Sequence, residues 1–268
     1  MNRLSRNRRR LRLIGLMALI VFSFACRSGD KSWQRVQQAG VLRVGLDPTY
    51  PPFEELVGRD VVGLDVDLAR ALGQAIGVEV TFTYYGFDGL YDALRIGQVD
   101  VLASALTLDA QRTQDFDYSR PYFNAGQVAL ARRGASSLSD LPRDLTGRTL
   151  AVELGTDGHV LATSWQRQVA NLTVRPFNTP AEALEAVRGG QADAVVLDAI
   201  GGRLALRQFS DLFLAADALT VEPFALVVRK EDGTLLAQLN QALAQLAEGG
   251  ELAALLNRWL WFESAEGQ

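Results

Sequence analysis

Apolar and polar positions alternate along this chain in two rhythms that replace one another regularly. Behind Gly40, residues 41–46 alternate as a strand does, and three prolines between Asp47 and Glu54 then forbid helix and impose an extended loop. From Gly63 the period lengthens: Leu68, Leu72, Ala75 and Ile76 share one helical face, and Gly77 stops the helix. Residues 78–82 read as a second strand. A helix carrying Leu90, Leu94 and Ile96 follows, with Asp88 as its expected N-cap, and the apolar run Val101-Leu102-Ala103 is a third strand. Strand, helix, strand, helix, strand predicts an α/β sheet covered by helices.

The second half repeats the scheme. A strand is expected over 127–131, and polar residues 132–144 are read as the first passage into a second lobe. Residues 149–152 begin a new strand, ending in the turn Glu153-Leu154-Gly155-Thr156-Asp157-Gly158. Thr179-Pro180-Ala181-Glu182 combines proline at the first helical position with a capping box. That helix leads to Gly190-Gln191-Ala192-Asp193 and a buried run, as Gly97-Gln98-Val99-Asp100 does 93 residues earlier. The two halves are therefore similar α/β units. Residues 221–230 read as a return strand. Leu235, Leu239, Leu243 and Leu246 mark a helix, and a last helix carries Leu252, Leu255, Leu256 and Trp259.

Candidate chemistry gathers at the expected strand ends. The stretch from Asp100 to Tyr122 leaves a buried strand, turns polar at Thr107 and delivers Arg112. Ligands of open α/β sheets sit outside the carboxyl ends of strands, and a guanidinium grips a carboxylate with two parallel hydrogen bonds. An exposed arginine in a helical first turn is the competing reading. Asp198 follows the apolar run 194–197 directly, where a carboxylate needs a cation or serves as an N-cap. The turn at Thr156 and Asp157 would offer helix N-terminal amides to an anion. His159 reads as a surface residue of that helix start. Tyr50 and Phe53 on the proline-rich loop are either ligand contacts or core, and Phe53 is assigned to the core.

The amino terminus stands apart. Six arginines between Arg3 and Arg12 precede an apolar stretch over 13–25 that is too short to span a membrane comfortably, which is the pattern of an export signal. Its removal leaves 21 basic against 31 acidic residues, a balance that argues against nucleic acid as a partner. Cys26, the only cysteine, forms no intrachain disulfide. With one histidine and no cysteine cluster, neither a zinc site nor a cysteine hydrolase is expected, and no cofactor is assigned.

Thr107-Leu108-Asp109-Ala110-Gln111-Arg112 followed by Phe116-Asp117-Tyr118-Ser119-Arg120-Pro121-Tyr122 resembles the T-I-T-x-E-R…F-S-x-P-Y segment of the bacterial extracellular solute-binding proteins for polar amino acids. Asp47-Pro48-Thr49-Tyr50-Pro51-Pro52-Phe53 is similar to that family's D-x-x-Y-x-P-F segment, and the resemblance extends over about residues 36–262. Asp109 departs from the family's second threonine. The resemblance implies a periplasmic binding protein-like type II fold: residues 36–128 and 223–262 in lobe 1, 129–222 in lobe 2, joined by two crossing segments, with a tail at 263–268. It implies that Arg112, Thr107 and the Thr156–Asp157 turn hold a ligand carboxylate, that Asp198 holds its ammonium, and that Tyr50, Phe87 and Asp47 contact its side chain. Ala25-Cys26 resembles a lipoprotein cleavage site, so residues 1–25 are expected to be a signal peptide, Cys26 a lipid anchor and 26–35 a tether. If Cys26 is not lipidated, it leaves with the signal peptide. The implied protein is an exported, monomeric amino-acid receptor of an ABC importer, partnered with a membrane permease. A cyclohexadienyl dehydratase with Glu153 as acid, and a sensor subunit, are the alternatives on the same fold.

Overall fold

The computed structural model describes residues 31–134, 138 and 140–260. The signal peptide, Cys26 and the tail at 263–268 lie outside the described residues.

Two five-stranded sheets form the frame. In the first, Glu79–Tyr84, Val41–Leu46 and Val101–Leu102 run parallel in that spatial order. Val227–Arg229 then pairs antiparallel with Val101–Leu102 and with Phe116–Tyr118. In the second, Thr173–Phe177, Thr149–Glu153 and Ala194–Asp198 are parallel, followed by Gln127–Arg132, antiparallel to Ala194–Asp198, and by Leu212–Ala216, antiparallel to Gln127–Arg132. The sheets thus share one plan: three parallel strands, then an antiparallel strand belonging to a segment that crosses between lobes. The Gly-Gln-x-Asp repeat occupies matching places. Asp100 accepts from the Arg43 amide at 3.0 Å, and Asp193 accepts from the Thr149 amide at 2.8 Å, each a residue of its lobe's central parallel strand.

Local chemistry explains the helices. Leu64–Ile76 buries Leu64, Leu68 and Leu72 against the first sheet, each such leucine contributing about 2 kcal/mol. Gly77 closes it in the left-handed conformation with φ 76°. A Cβ on Gly63 would lie 2.0 Å from the Phe53 carbonyl oxygen, so only glycine lets the helix start this close to the proline-rich loop. In the second lobe Thr179 accepts from the Glu182 amide at 3.2 Å, as the capping box predicts. The Glu182 side chain reaches one residue further back, to the Asn178 amide at 3.1 Å.

Several expectations need correction. Residues 31–35 are not a tether but part of a helix, Lys31–Ala39, whose buried Ser32 donates to Asp232 at 2.5 Å and accepts from Arg229 at 2.8 Å. Asp88 caps nothing: a 3₁₀ turn over Phe87–Gly89 precedes the helix Leu90–Arg95, and Ile96 is solvent-exposed. The return strand is broken into Pro223–Phe224 and Val227–Arg229. Gln127–Arg132 pairs along its whole length with the second sheet, so the crossing falls at 124–126, ahead of the expected boundary at 128.

At that crossing Phe123–Asn124 pairs with Pro223–Phe224 in a two-stranded ribbon. Asn124 ties it: Oδ1 accepts from the Glu222 amide at 2.7 Å and Nδ2 donates to the Thr220 carbonyl at 2.9 Å. A Cβ on Gly126 would lie 2.2 Å from that carbonyl, which is why the first crossing passes through glycine. Phe53, Phe123 and Phe224 pack ring against ring beneath the ribbon, with centroids 5.2–5.8 Å apart. Phe53 is core, as expected.

Candidate functional site

The first wall is built at the ends of parallel strands in the first lobe. Beyond Val101–Leu102 the chain passes through Ser104 and Ala105, the latter in the left-handed region at φ 46°. Two buried carboxyls hold this unusual turn. Ser104 donates to Glu54 Oε1 at 2.7 Å while accepting from the Asp47 amide at 3.0 Å, and the Ala105 amide donates to Asp65 Oδ2 at 2.6 Å. Both carboxyls are buried. Burial raises both from the carboxylate range, and the neighbouring charge of Asp65 raises Glu54 further. Two adjacent buried carboxyls cannot both ionise without a cation, so the pair keeps a proton at neutral pH. The Tyr122 hydroxyl is pushed up in turn, by burial first and then by Asp65.

Around this turn stand the residues expected on the first wall. Thr107 is exposed and bridges to Phe224. Arg112 lies in the turn after Asp109; its Nε donates to Asp109 Oδ2 at 3.1 Å, and its guanidinium lies 4.1 Å from the centre of the Tyr91 ring. Its two terminal nitrogens bond to no described residue, which leaves a planar pair of donors on a stacked, oriented group. Asp109 therefore orients the arginine and does not displace it. Asp47 accepts from the Thr49 hydroxyl at 2.9 Å. Tyr50 stacks on Phe53 at 5.7 Å and is 45% exposed, and Phe87 is 57% exposed.

The second wall is made by the second sheet. Thr156 caps the helix Asp157–Gln166, accepting from the His159 amide at 3.2 Å and donating to the Glu153 carbonyl at 2.8 Å. His159 returns through Nδ1, which accepts from the Gly155 amide at 3.2 Å, so the lone histidine serves the turn. Asp198 ends its strand and caps the helix Ala199–Gln208, with Oδ1 accepting from the Gly201 amide at 2.7 Å. Its other oxygen, Oδ2, accepts no hydrogen bond from a described residue. A cavity of about 350 Å³ opens between these turns, lined by Glu153, Thr156, Asp157, Asp198, Gln127 and Glu222 among others.

Two of these lining residues escaped the sequence reading. Gln127 pairs directly across the sheet from Asp198, and its one available signal was a polar residue opening an apolar strand. Glu222 sits on the second crossing and accepts from Thr220 at 3.2 Å. The two walls already sense one another. The Tyr50 hydroxyl is raised by burial first and then by the charge of Asp198 on the opposite lobe. Among the described residues no cluster of histidine, cysteine and carboxylate side chains is placed to hold a metal ion, and no helix is long and apolar enough to cross a membrane.

Residues 42–262 match the sequence profile of the bacterial extracellular solute-binding proteins, family 3. The chain belongs to that family. Among its relatives, the L-cystine-binding protein TcyJ of Escherichia coli K12 is 29% identical over 92% of this chain and 94% of its own length. The L-arginine-binding protein of Pseudomonas aeruginosa is 28% identical over 95% and 98%. The unliganded, open L-cystine solute receptor of Neisseria gonorrhoeae superposes with a TM-score of 0.74 at 25% identity, covering 85% of this chain and 95% of the other. An ancestral cyclohexadienyl dehydratase also superposes at 0.74, with 25% identity over 84% and 95%. Family 3 membership fixes the type II periplasmic binding protein architecture, and these relatives in sequence are amino-acid-binding proteins.

Proposed function

We propose that this chain is the extracytoplasmic receptor of an amino-acid ABC importer, and that it captures a free amino acid by closing its lobes. The reading is supported by Arg112 in the first lobe, whose two terminal nitrogens bond to no described residue, and by Asp198 at a strand end of the second, whose Oδ2 accepts no hydrogen bond from a described residue. A zwitterion sets its carboxylate on Arg112 and Thr107, with the amides behind Thr156 completing the cage, and its ammonium on Asp198. Tyr50, Phe87 and Asp47 contact its side chain from the first lobe.

Because the two charges of the ligand are met from different lobes, the open form satisfies only one of them. Closure removes water and strengthens both pairs, so the ligand shifts the equilibrium by its differential affinity for the closed form. The crossing ribbon at Asn124 and Glu222 is where the rotation takes place. The permease reads the closed state. An affinity in the micromolar range, about −8 kcal/mol, fits such a receptor. The amino terminus supports export, with Cys26 as a lipid anchor outside the cytoplasm.

A thermal-shift screen of ligand-stripped protein against the common amino acids tests the reading. At a hundredfold excess over its dissociation constant, a true ligand adds ~2.7 kcal/mol to stability. A flat response to all of them rejects it. The dehydratase reading rests on one feature, the partly buried Glu153 beside the cavity, and turnover of prephenate or arogenate would establish it.

A further inference from the structure

The second-lobe cavity carries more negative charge than a zwitterion can answer. Glu153, Asp157, Asp198 and Glu222 all line it, and none of them forms an ion pair with a described residue. On the facing lobe the charge of Arg112 is already offset by Asp109, and Asp47 adds another carboxylate. A neutral amino acid would bring one ammonium to this set. Closing the lobes over the remaining carboxylates would then strip their water without supplying a counter-charge, which opposes closure.

A separate observation points the same way. Gln127 is 5% exposed, and its Oε1 is buried with no hydrogen-bond partner among the described residues, although it lines the same cavity. A Cβ on Gly158 would lie 2.8 Å from this oxygen, and its backbone neighbourhood includes the Val196 carbonyl, another acceptor. A buried acceptor of this kind costs about 1–3 kcal/mol unless a donor reaches it. The cavity therefore presents acceptors in excess, in charge and in hydrogen-bonding alike. What completes it is a group with several N–H donors and a positive charge.

We infer that the ligand is a cationic amino acid, carrying a second positive group beyond its α-ammonium, and that Glu153, Glu222 and Gln127 Oε1 receive the additional N–H donors. The inference rests on the amino-acid receptor reading and narrows it. A guanidinium has five N–H donors in a plane and an alkylammonium has three, so both classes meet the requirement. An acidic ligand is excluded by the same charges.

Isothermal titration of ligand-stripped protein with arginine, lysine and ornithine, against citrulline, glutamine and glutamate, tests it. Citrulline matches arginine in shape but is neutral and places a carbonyl oxygen where arginine has an N–H donor group. At least one cationic amino acid should bind ten-fold or more tighter than citrulline, and its affinity should fall with added salt, as an ionic contact requires. Glu153→Gln and Glu222→Gln should each weaken the cationic ligand by about ten-fold while leaving citrulline within two-fold. Equal affinity for citrulline or glutamine overturns the inference and leaves the receptor reading intact. Failure of every amino acid to bind overturns both. The comparison of ligands on the unaltered protein decides the matter even if a variant folds poorly.

Discussion

Asp100 and Asp193 hold equivalent places in the two lobes. Each carboxylate accepts from a backbone amide of its lobe's central strand, Arg43 in one case and Thr149 in the other, while its own amide donates back to the same residue's carbonyl at 2.8 Å. Their surroundings differ. Asp100 is fully buried and also bonds the Arg43 guanidinium at 2.8 Å and pairs with Arg35, whereas Asp193 is half-exposed and lies 4.0 Å from Arg148. Asp100→Ala should therefore cost more, ~2–3 kcal/mol for a stranded amide and arginine, against ~1 kcal/mol for Asp193→Ala. Urea denaturation of the two variants checks the order.

Asp198 does two things that one substitution separates. Asp198→Asn keeps an oxygen for the Gly201 amide and removes the charge. Its melting temperature should stay near that of the parent while amino-acid affinity falls by two orders of magnitude or more, on the ~2–5 kcal/mol scale of a broken charge pair. Asp198→Ala should lose about 1 kcal/mol of stability as well. An Asn variant that binds normally would remove Asp198 from the ammonium site.

Arg112→Ala should weaken the same ligand comparably, and Arg112→Lys should recover only part of the loss because an ammonium cannot present two coplanar donors. Titration calorimetry reads both. Asp109→Ala is the control: it releases Nε but leaves the Tyr91 stacking, so its effect on affinity should stay below ten-fold.

The Glu54–Asp65 pair gives a pH dependence with a definite sign. Folding raises these carboxyls above their unfolded values, so as pH climbs past the usual carboxylate range the unfolded chain releases protons that the folded chain retains. Stability from this source is fully present at low pH and declines as pH rises toward the raised values. Glu54→Gln supplies a permanent donor where the shared proton stood. The stability of this variant relative to the parent should improve steadily from about pH 4.5 to pH 8. Thermal melts of both proteins across that range measure the difference, and parallel curves would show that the pair holds no shared proton.

Gly126→Ala would drive a methyl group to 2.2 Å from the Thr220 carbonyl, a backbone atom that cannot turn aside. A loss of ~1–3 kcal/mol is expected, together with an altered lobe angle detectable by small-angle scattering with and without ligand.

Legibility in the sequence followed the range of the interaction concerned. Gly77 and Thr179 act within one helical turn, and both could be read directly. Arg112 was visible through its motif, but its stacking on Tyr91, 21 positions away, was not. The run 127–131 reads as a strand, and the structure extends it by one residue to Arg132. Nothing local says which sheet a strand joins, and the lobe boundary was misplaced for that reason. Gln127 and Glu222 are not legible because only the fold brings them to the cavity that Asp198 lines, Gln127 by pairing across the sheet and Glu222 from the second crossing. In the sequence Glu54 ends a proline-rich loop and Asp65 lies at a helix start, and only the fold brings both to the same buried turn.

Val227–Arg229 lies between Val101–Leu102 and Phe116–Tyr118, so the earlier sheet in the chain is finished by one of its last strands. The other sheet comes entirely from residues 127–216. A chain emerging amino end first can therefore complete its later sheet while the earlier one still has an open gap, flanked by the unpaired edges of Val101–Leu102 and Phe116–Tyr118. Half of this molecule must wait for its own tail. The lobe nearest the leading end can close its sheet only once residues 227–229 are in place, so its final pairing spans the whole length of the intervening lobe.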